Sequence, residues 1–115
     1  MDSKASLRFA RVSARKARLV ANLVRGLDVS QAIETLTFTQ KKSAPMIKKL
    51  VESAVANAEQ KARRESVELD IDELFVKTIC VDEGPSLKRF RPRAQGRATK
   101  VLKKTAHITL ELATR

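Results

Sequence analysis

The sequence predicts an α+β fold: three helices packed on a small antiparallel three-stranded sheet, with a long protruding β-hairpin. Apolar residues recur with a helical period across residues 13–63. Around them, residues 4–12 and 105–112 alternate between apolar and polar side chains, as strands with one buried face do. Since 43% of the 115 residues are hydrophobic, the chain has enough apolar surface for one folded core.

The length predicts a single domain with two parts. They are a globular part, residues 1–83 and 105–115, and an extended basic hairpin, residues 84–104, within one domain spanning 1–115.

The first strand is expected from Lys4 to Val12, because Leu7 and Phe9 alternate there with Arg8 and Ala10. This spacing places Leu7 and Phe9 together on the apolar face.

The first helix is expected between Ser13, a residue type that caps helix N-termini, and Gly26, which can supply a left-handed C-terminal residue. The apolar face carries Val20, Leu23 and Val24. A second face carries cations at spacings of three and seven: Arg15, Arg18 and Arg25. The helix is therefore predicted to face the core on one side and a polyanion on the other.

Two further helices are predicted, over Val29–Leu36 and Ala44–Arg63. Asp28 and Gln31 resemble a capping box before the first of them. Pro45 suits the first turn of the second, where its missing N–H would have no partner. The apolar positions of this longest helix, from Met46 to Ala58, predict a central element of the core.

The last third predicts two strands, over Phe75–Val81 and 105–112. Ala106, Ile108, Leu110 and Leu112 alternate with polar residues in the second strand. Cys80 lies within the apolar pattern of the first, so we expect it to be a small core residue. His107 falls on the polar face, where an exposed or RNA-contacting imidazole is expected.

The charge of +11 is concentrated in two segments of the chain. Residues 1–26 carry a net charge of +6, and residues 84–104 carry eight cations and no anion. Residues 27–83 have a slight excess of acids. Because like charges repel unless a polyanion neutralises them, we expect the two basic segments to face RNA or DNA.

The segment between the last two strands is too long for a simple chain reversal. Two arms of about ten residues, at about 3.3 Å per residue, would reach roughly 30 Å beyond the sheet. Pro92 and Gly96 bracket a predicted turn of Arg93, Ala94 and Gln95. An isolated cationic ribbon is only marginally stable in water, so we expect it to lie against a polyanion whose phosphates pair with its arginines.

Several classes of protein are excluded by simple counts. One cysteine and one histidine cannot supply the four ligands of a structural zinc site or form an internal disulfide, so no metal or cofactor is expected. A single cysteine suits a reducing compartment, and the short uncharged runs predict no membrane span and a cytoplasmic protein. With four Phe and no Trp or Tyr, a reader of single strands by base stacking is not expected.

Three alternative functions remain open at this level. An enzyme would have to use Cys80, His107 or the acidic residues Asp70, Asp72 and Glu73, for which a solvated loop is the simpler interpretation. A sequence-tolerant DNA-binding or nucleoid protein would also be basic, since charge does not distinguish DNA from RNA. A membrane-surface helix fits least well, because the cationic helix also needs its apolar face for the core.

Five segments of the chain resemble the bacterial ribosomal protein L-twenty-two family, in the order found in that family. They are Val12–Gly26 (VSARKARLVANLVRG), 41–45 (KKSAP), 52–59 (ESAVANAE), 81–86 (VDEGPS) and 91–98 (RPRAQGRA). The resemblance covers almost the whole chain, and the DEGPS segment followed by the arginine-rich tip is its most specific part.

This resemblance implies a function as well as a fold. Members of the family are structural constituents of the large ribosomal subunit that bind its RNA early in assembly. Their hairpin helps to line the nascent-peptide exit tunnel, and changes in it are associated with macrolide resistance. The implied partners are large-subunit rRNA, neighbouring ribosomal proteins and the nascent peptide, with the protein a monomer within the cytoplasmic ribosome.

The resemblance also implies two sets of site residues in this chain. The implied rRNA-binding residues are Arg8, Arg11, Arg15, Lys16, Arg18, Arg25, Lys41, Lys42, Lys88, Arg89, Arg91, Arg93, Arg97, Lys100, Lys103 and Lys104. The implied tunnel-lining tip comprises Lys88, Arg89, Arg91, Pro92, Arg93, Gln95, Gly96 and Arg97. The position linked to macrolide tolerance would lie in Leu87–Arg89.

Overall fold

The computed structural model describes residues 2–92, 96 and 98–114. Its helices are α1 (Ala14–Val24), α2 (Val29–Phe38) and α3 (Ala44–Arg64), and a short 3-10 turn spans Ile71–Glu73. Its strands are β1 (Asp2–Ala10), β2 (Leu74–Glu83), β3 (Leu87–Pro92), β4 (Ala98–Lys103) and β5 (Ala106–Thr114). The predicted turn at 93–95 lies outside the described residues.

Three strands form an antiparallel sheet, as predicted, and their order is β1-β5-β2. Its apolar face is covered by the helices: α3 packs on β1 and β5, and α1 packs on β2. The alternation in β5 places Ala106, Ile108, Leu110 and Leu112 in the core, all fully buried. The predicted α+β class is therefore confirmed.

Two bulges modify the predicted faces of the strands. The register of β1 shifts between Leu7 and Ala10, and Phe9 adopts a left-handed backbone with φ of 58°. Ala10 thereby becomes buried, whereas Phe9 stays 55% exposed and does not join the core. The prediction that Leu7 and Phe9 share one apolar face was wrong, because side chains alternate between the two faces of a strand only where no bulge interrupts it.

The second bulge lies in β2, where the register shifts between Val76 and Thr78. Val76 is buried before the shift, and Ile79 and Val81 are buried after it. Cys80 consequently points away from the core and is exposed. The prediction that Cys80 is buried was wrong, because it depended on alternation through an unbroken strand and the bulge reverses that alternation.

The first helix begins after Ser13 and is followed by Gly26 at φ of 84°, as predicted. Ser13 and Asp28 occupy N-cap positions, but neither side chain caps its helix by a hydrogen bond. The core face of α1 uses small residues, Ala14, Ala17 and Ala21 beside Val20 and Val24, so the helix lies close to the sheet. Leu23, expected in the core, is 52% exposed.

The hairpin consists of β3 and β4, which pair antiparallel from Leu87 with Lys103 to Pro92 with Ala98. It forms a sheet separate from the three-stranded one. The molecule measures 67 × 27 × 16 Å along its principal axes, so the hairpin gives it a strongly elongated shape.

Candidate nucleic-acid interface

Two adjoining grooves at the base of the hairpin bring together cations from three distant segments. The first groove, of about 430 Å³, is lined by Arg11, Val12, Ser13, Lys16, Lys42, Leu102, Lys103 and Lys104. The second, of about 490 Å³, is lined by Val12, Ser13, Lys16, Leu19, Gln40, Lys41, Lys42 and Ser43. We call their six cations the basic cradle: Arg11, Lys16, Lys41, Lys42, Lys103 and Lys104.

The cradle is positioned by buried neighbours in each segment. Val12 is 6% exposed and anchors the chain between β1 and α1, beside Arg11. Ser43 is 2% exposed and fixes the turn that carries Lys41 and Lys42 into α3. Lys103 ends β4 at the base of the hairpin, and Lys104 directly precedes the buried residue Thr105. Rigid elements therefore hold six exposed cations around a shared concavity.

The electrostatics of the cradle favour an anionic ligand. All six cations are exposed, and neither groove has an Asp or Glu among its lining residues. Like charges that line one groove repel one another where they approach within the Debye length, which is about 8 Å at physiological salt. A polyanion that bridges them would relieve this repulsion and release counterions.

Two predicted RNA-binding arginines have partners in the sheet. The Arg25 guanidinium donates to the Ile79 carbonyl at 2.7 Å and to Asn22 Oδ1 at 2.6 Å. Arg18 Nε donates to the Val81 carbonyl at 3.1 Å. Both side chains thus run along the free edge of β2, a structural role that the helical spacing did not indicate.

Two further predicted RNA-binding residues of the globular part, Arg8 and Arg15, are exposed outside the cradle. The Arg8 guanidinium lies 5.7 Å from the centre of the Phe9 ring, at a distance suitable for a cation–π contact. The structure does not bring either residue into the two grooves.

Exposed side chains lie on both strands of the hairpin, and those described on β4 are Leu102 and Lys103. Lys88, Arg89 and Pro92 are exposed in β3, and Gly96 is exposed at φ of 71°. Arg91 in β3 pairs through its backbone with Thr99, and Lys100 in β4 pairs with Phe90. Arg93, Gln95 and Arg97 lie outside the described residues.

Six residues that line the cradle grooves were not predicted to belong to the site: Val12, Ser13, Leu19, Gln40, Ser43 and Leu102. Leu19 is 59% exposed, although its helical position resembles that of core residues. Their proximity depends on how α1 packs beside the turn between α2 and α3. No local pattern in the sequence signals it.

The residues considered for catalysis are not arranged as a reactive site. Asp70 caps the 3-10 turn by accepting the Asp72 N–H at 3.0 Å, and His107 Nδ1 accepts the Phe9 N–H at 3.0 Å. Within residues 2–92, 96 and 98–114, no group of three His, Cys, Asp or Glu side chains could hold a metal ion. None of the described helices is long and apolar enough to cross a membrane.

Comparison with known proteins gives two concordant results. The family model described as ribosomal protein L22p/L17e matches residues 5–113. The chain is also similar to the large ribosomal subunit protein uL22 of Bdellovibrio bacteriovorus, with 63% identity over 112 residues. That alignment covers 97% of each of the two proteins.

Proposed function

This chain belongs to the ribosomal protein L22p/L17e family, and from this membership we propose that it binds large-subunit rRNA through the basic cradle and the hairpin. It is a structural, non-enzymatic component of the large subunit of the cytoplasmic ribosome, with RNA and ribosomal proteins as partners. The residues that contact RNA, the role in assembly and the place in the exit tunnel are our proposals.

The observation that carries the proposal is the convergence of six cations on two adjoining grooves, neither of which is lined by a carboxylate. Lysine and arginine contacts to phosphate position a protein on RNA without reading sequence, so specificity would come from the folded shape of the RNA. Arg8, Arg15, Lys88, Arg89, Arg91 and Lys100 would extend the contact beyond the cradle.

We further propose that residues 84–104 serve as an arm and that residues 1–83 and 105–115 serve as the body. The elongated shape supports this division. The arm would thread between RNA segments during assembly. Its distal residues would line the exit tunnel, where the nascent peptide passes: Lys88, Arg89, Arg91, Pro92, Arg93, Gln95, Gly96 and Arg97.

The test measures binding to a structured large-subunit RNA fragment across a salt series. We expect log affinity to fall with log salt at a slope of roughly −4 to −5 or steeper, since each of the six cradle cations contributes about 0.7 to 0.9 to the slope. A triple variant, Lys42→Gln, Lys103→Gln and Lys104→Gln, should make the slope shallower by about 2 to 3.

A matched variant controls for net charge alone. Lys49→Gln, Arg63→Gln and Lys77→Gln remove three charges from outside the cradle, so the slope should remain close to that of the parent. Equal effects of the two variants would contradict the cradle as the binding surface. Equal affinity for duplex DNA at matched salt would favour the nucleoid function instead.

A further inference from the structure

The arm joins the body at a break between two β ladders. The ladder of β2 and β5 stops at the pair of Glu83 and Ala106, and the ladder of β3 and β4 starts at the pair of Leu87 and Lys103. Residues 84–86 and 104–105 connect them without belonging to either ladder. Without other contacts, such a junction would be a free hinge.

Contacts across the junction restrain it. The Gly84 N–H donates to the Thr105 carbonyl at 3.0 Å, and Thr105 Oγ1 donates to the Pro85 carbonyl at 2.6 Å. Thr105 is only 7% exposed, so its hydroxyl bond to the exposed Pro85 is partly shielded from water. The two connecting segments are thus tied to each other twice.

Side-chain atoms also pack closely around Gly84 at the junction. A Cβ atom at Gly84 would lie 2.6 Å from Thr105 Oγ1 and 3.2 Å from His107 Nε2. Real Cβ atoms do not approach oxygen so closely, so any other residue at Gly84 would have to displace the Thr105 hydroxyl, the group that bonds the Pro85 carbonyl. Glycine therefore leaves the Thr105 hydroxyl in place at the junction.

The same cluster reaches the first strand of the body through His107. Its Nδ1 accepts the N–H of Phe9, whose ring packs edge-on against the imidazole with 4.7 Å between centroids. A left-handed backbone at a bulky residue such as Phe9 is unfavourable unless its surroundings hold it. The junction is therefore linked to the β1 bulge, two residues before the cradle residue Arg11.

We propose that Gly84, Thr105 and His107 form a fixed elbow that sets the direction of the arm relative to the body. The elbow holds Lys103 and Lys104 beside the body cations Arg11, Lys16 and Lys42, and so assembles the cradle before RNA binds. These three are positioning residues, since they act through the cations they orient. The effect on RNA affinity rests on the proposed function, whereas the effect on arm direction does not.

The arm direction can be measured by distances between two spin labels in the free, full-length protein. Cys80 is exposed on β2 and accepts one label, and Phe90→Cys, 68% exposed on β3, accepts the other. We expect a single narrow distance distribution. In the doubly labelled protein, Thr105→Val removes the hydroxyl but keeps the side-chain shape, and it should broaden the distance distribution. Gly84→Ala should shift the mean distance.

Two controls separate the elbow from general loss of structure. Ser86→Ala removes a hydroxyl from an exposed junction residue and should leave the distribution unchanged. A label pair within the body, Cys80 with Ile71→Cys, should be unaffected by Thr105→Val. A Thr105→Val distribution as narrow as the parent's, at the same mean, would overturn the proposal. Disruption of the body pair by both elbow variants would also overturn it, because the cluster would then be part of the core.

RNA binding provides the second readout. Thr105→Val retains every cation, so its affinity for the RNA fragment should fall severalfold while the salt slope stays unchanged. A shallower slope would mean that the variant loses contacts with RNA and would contradict pre-assembly of the cradle. If the parent does not bind RNA, the proposed function fails, but the label distances still decide whether the elbow exists.

Discussion

At the scale of single residues, a bulge changes what each side chain can do. The shift in β2 between Val76 and Thr78 exchanges the two faces of the strand, so that Ile79 enters the core and Cys80 leaves it. Phe9 is displaced in the same way by the bulge in β1. The chemistry open to Cys80 is therefore that of a surface thiol.

We predict that Cys80 reacts with a thiol reagent in the folded protein at a rate within about tenfold of that in the unfolded chain, because folding does not cover it. Stopped-flow absorbance measurements of the reaction, with and without denaturant, would give the ratio of the two rates. Cys80→Ser should change the free energy of unfolding by less than about 0.5 kcal/mol. A native rate hundreds of times slower, or a much larger loss of stability, would mean that the thiol is buried.

At the scale of elements, helix side chains cover both edges of the three-stranded sheet. On β2, the Val81 carbonyl accepts a hydrogen bond from Arg18 of α1. The Ile79 carbonyl accepts one from Arg25, the residue that follows α1. On β1, the carbonyls of Lys4 and Asp2 accept from Asn57 and Lys61 of α3. Unpaired strand edges can pair with other chains, so these donors protect the sheet as well as attaching the helices.

We predict that Arg25→Ala lowers the free energy of unfolding by about 1 kcal/mol, since it removes the donor to the β2 edge. Urea denaturation followed by circular dichroism would measure the change. Arg15→Ala, on the exposed face of α1, serves as the control and should stay within about 0.5 kcal/mol of the parent. Equal losses for the two variants would rule out the edge contact as the cause.

At the scale of the whole molecule, periodic patterns predicted the architecture well. The buried face of β5 follows from its uninterrupted alternation, and the buried face of α3 follows from its apolar stripe. Both patterns depend only on the spacing of apolar residues along the chain, so they can be recognised in the sequence alone. The cradle could be predicted only in part, because Lys42 and Lys103 are brought together by packing of distant segments. The sheet-edge role of Arg25 was missed for the same reason: its acceptor lies 54 residues away.

We predict that deleting Leu87–Arg89 leaves the body folded but alters macrolide susceptibility of cells that depend on the protein. Among the described residues, none between 84 and 104 belongs to the hydrophobic core cluster, so the melting temperature should move by no more than about 2 °C. Leu110→Ala removes fully buried side-chain volume and should cost about 3 kcal/mol, which calibrates the assay. Unfolding of the whole domain by the deletion, or unchanged drug susceptibility, would contradict this prediction.

The order of strands in the sheet also constrains when the protein can fold during its own synthesis. The central strand, β5, is the last element along the chain, and it pairs with the first, Asp2 lying opposite Ala113. Since β1 and β2 both pair with β5, no pair of strands in this sheet can form until β5 has left the ribosome that makes it. The contacts between β1 and β5 are almost as distant in sequence as the chain permits. Helices can form earlier, but their apolar faces must wait for the sheet. Newly made chains therefore pass through a stage in which the basic N-terminal segment is already exposed while the core is still open, and early capture by a polyanion would compete with folding.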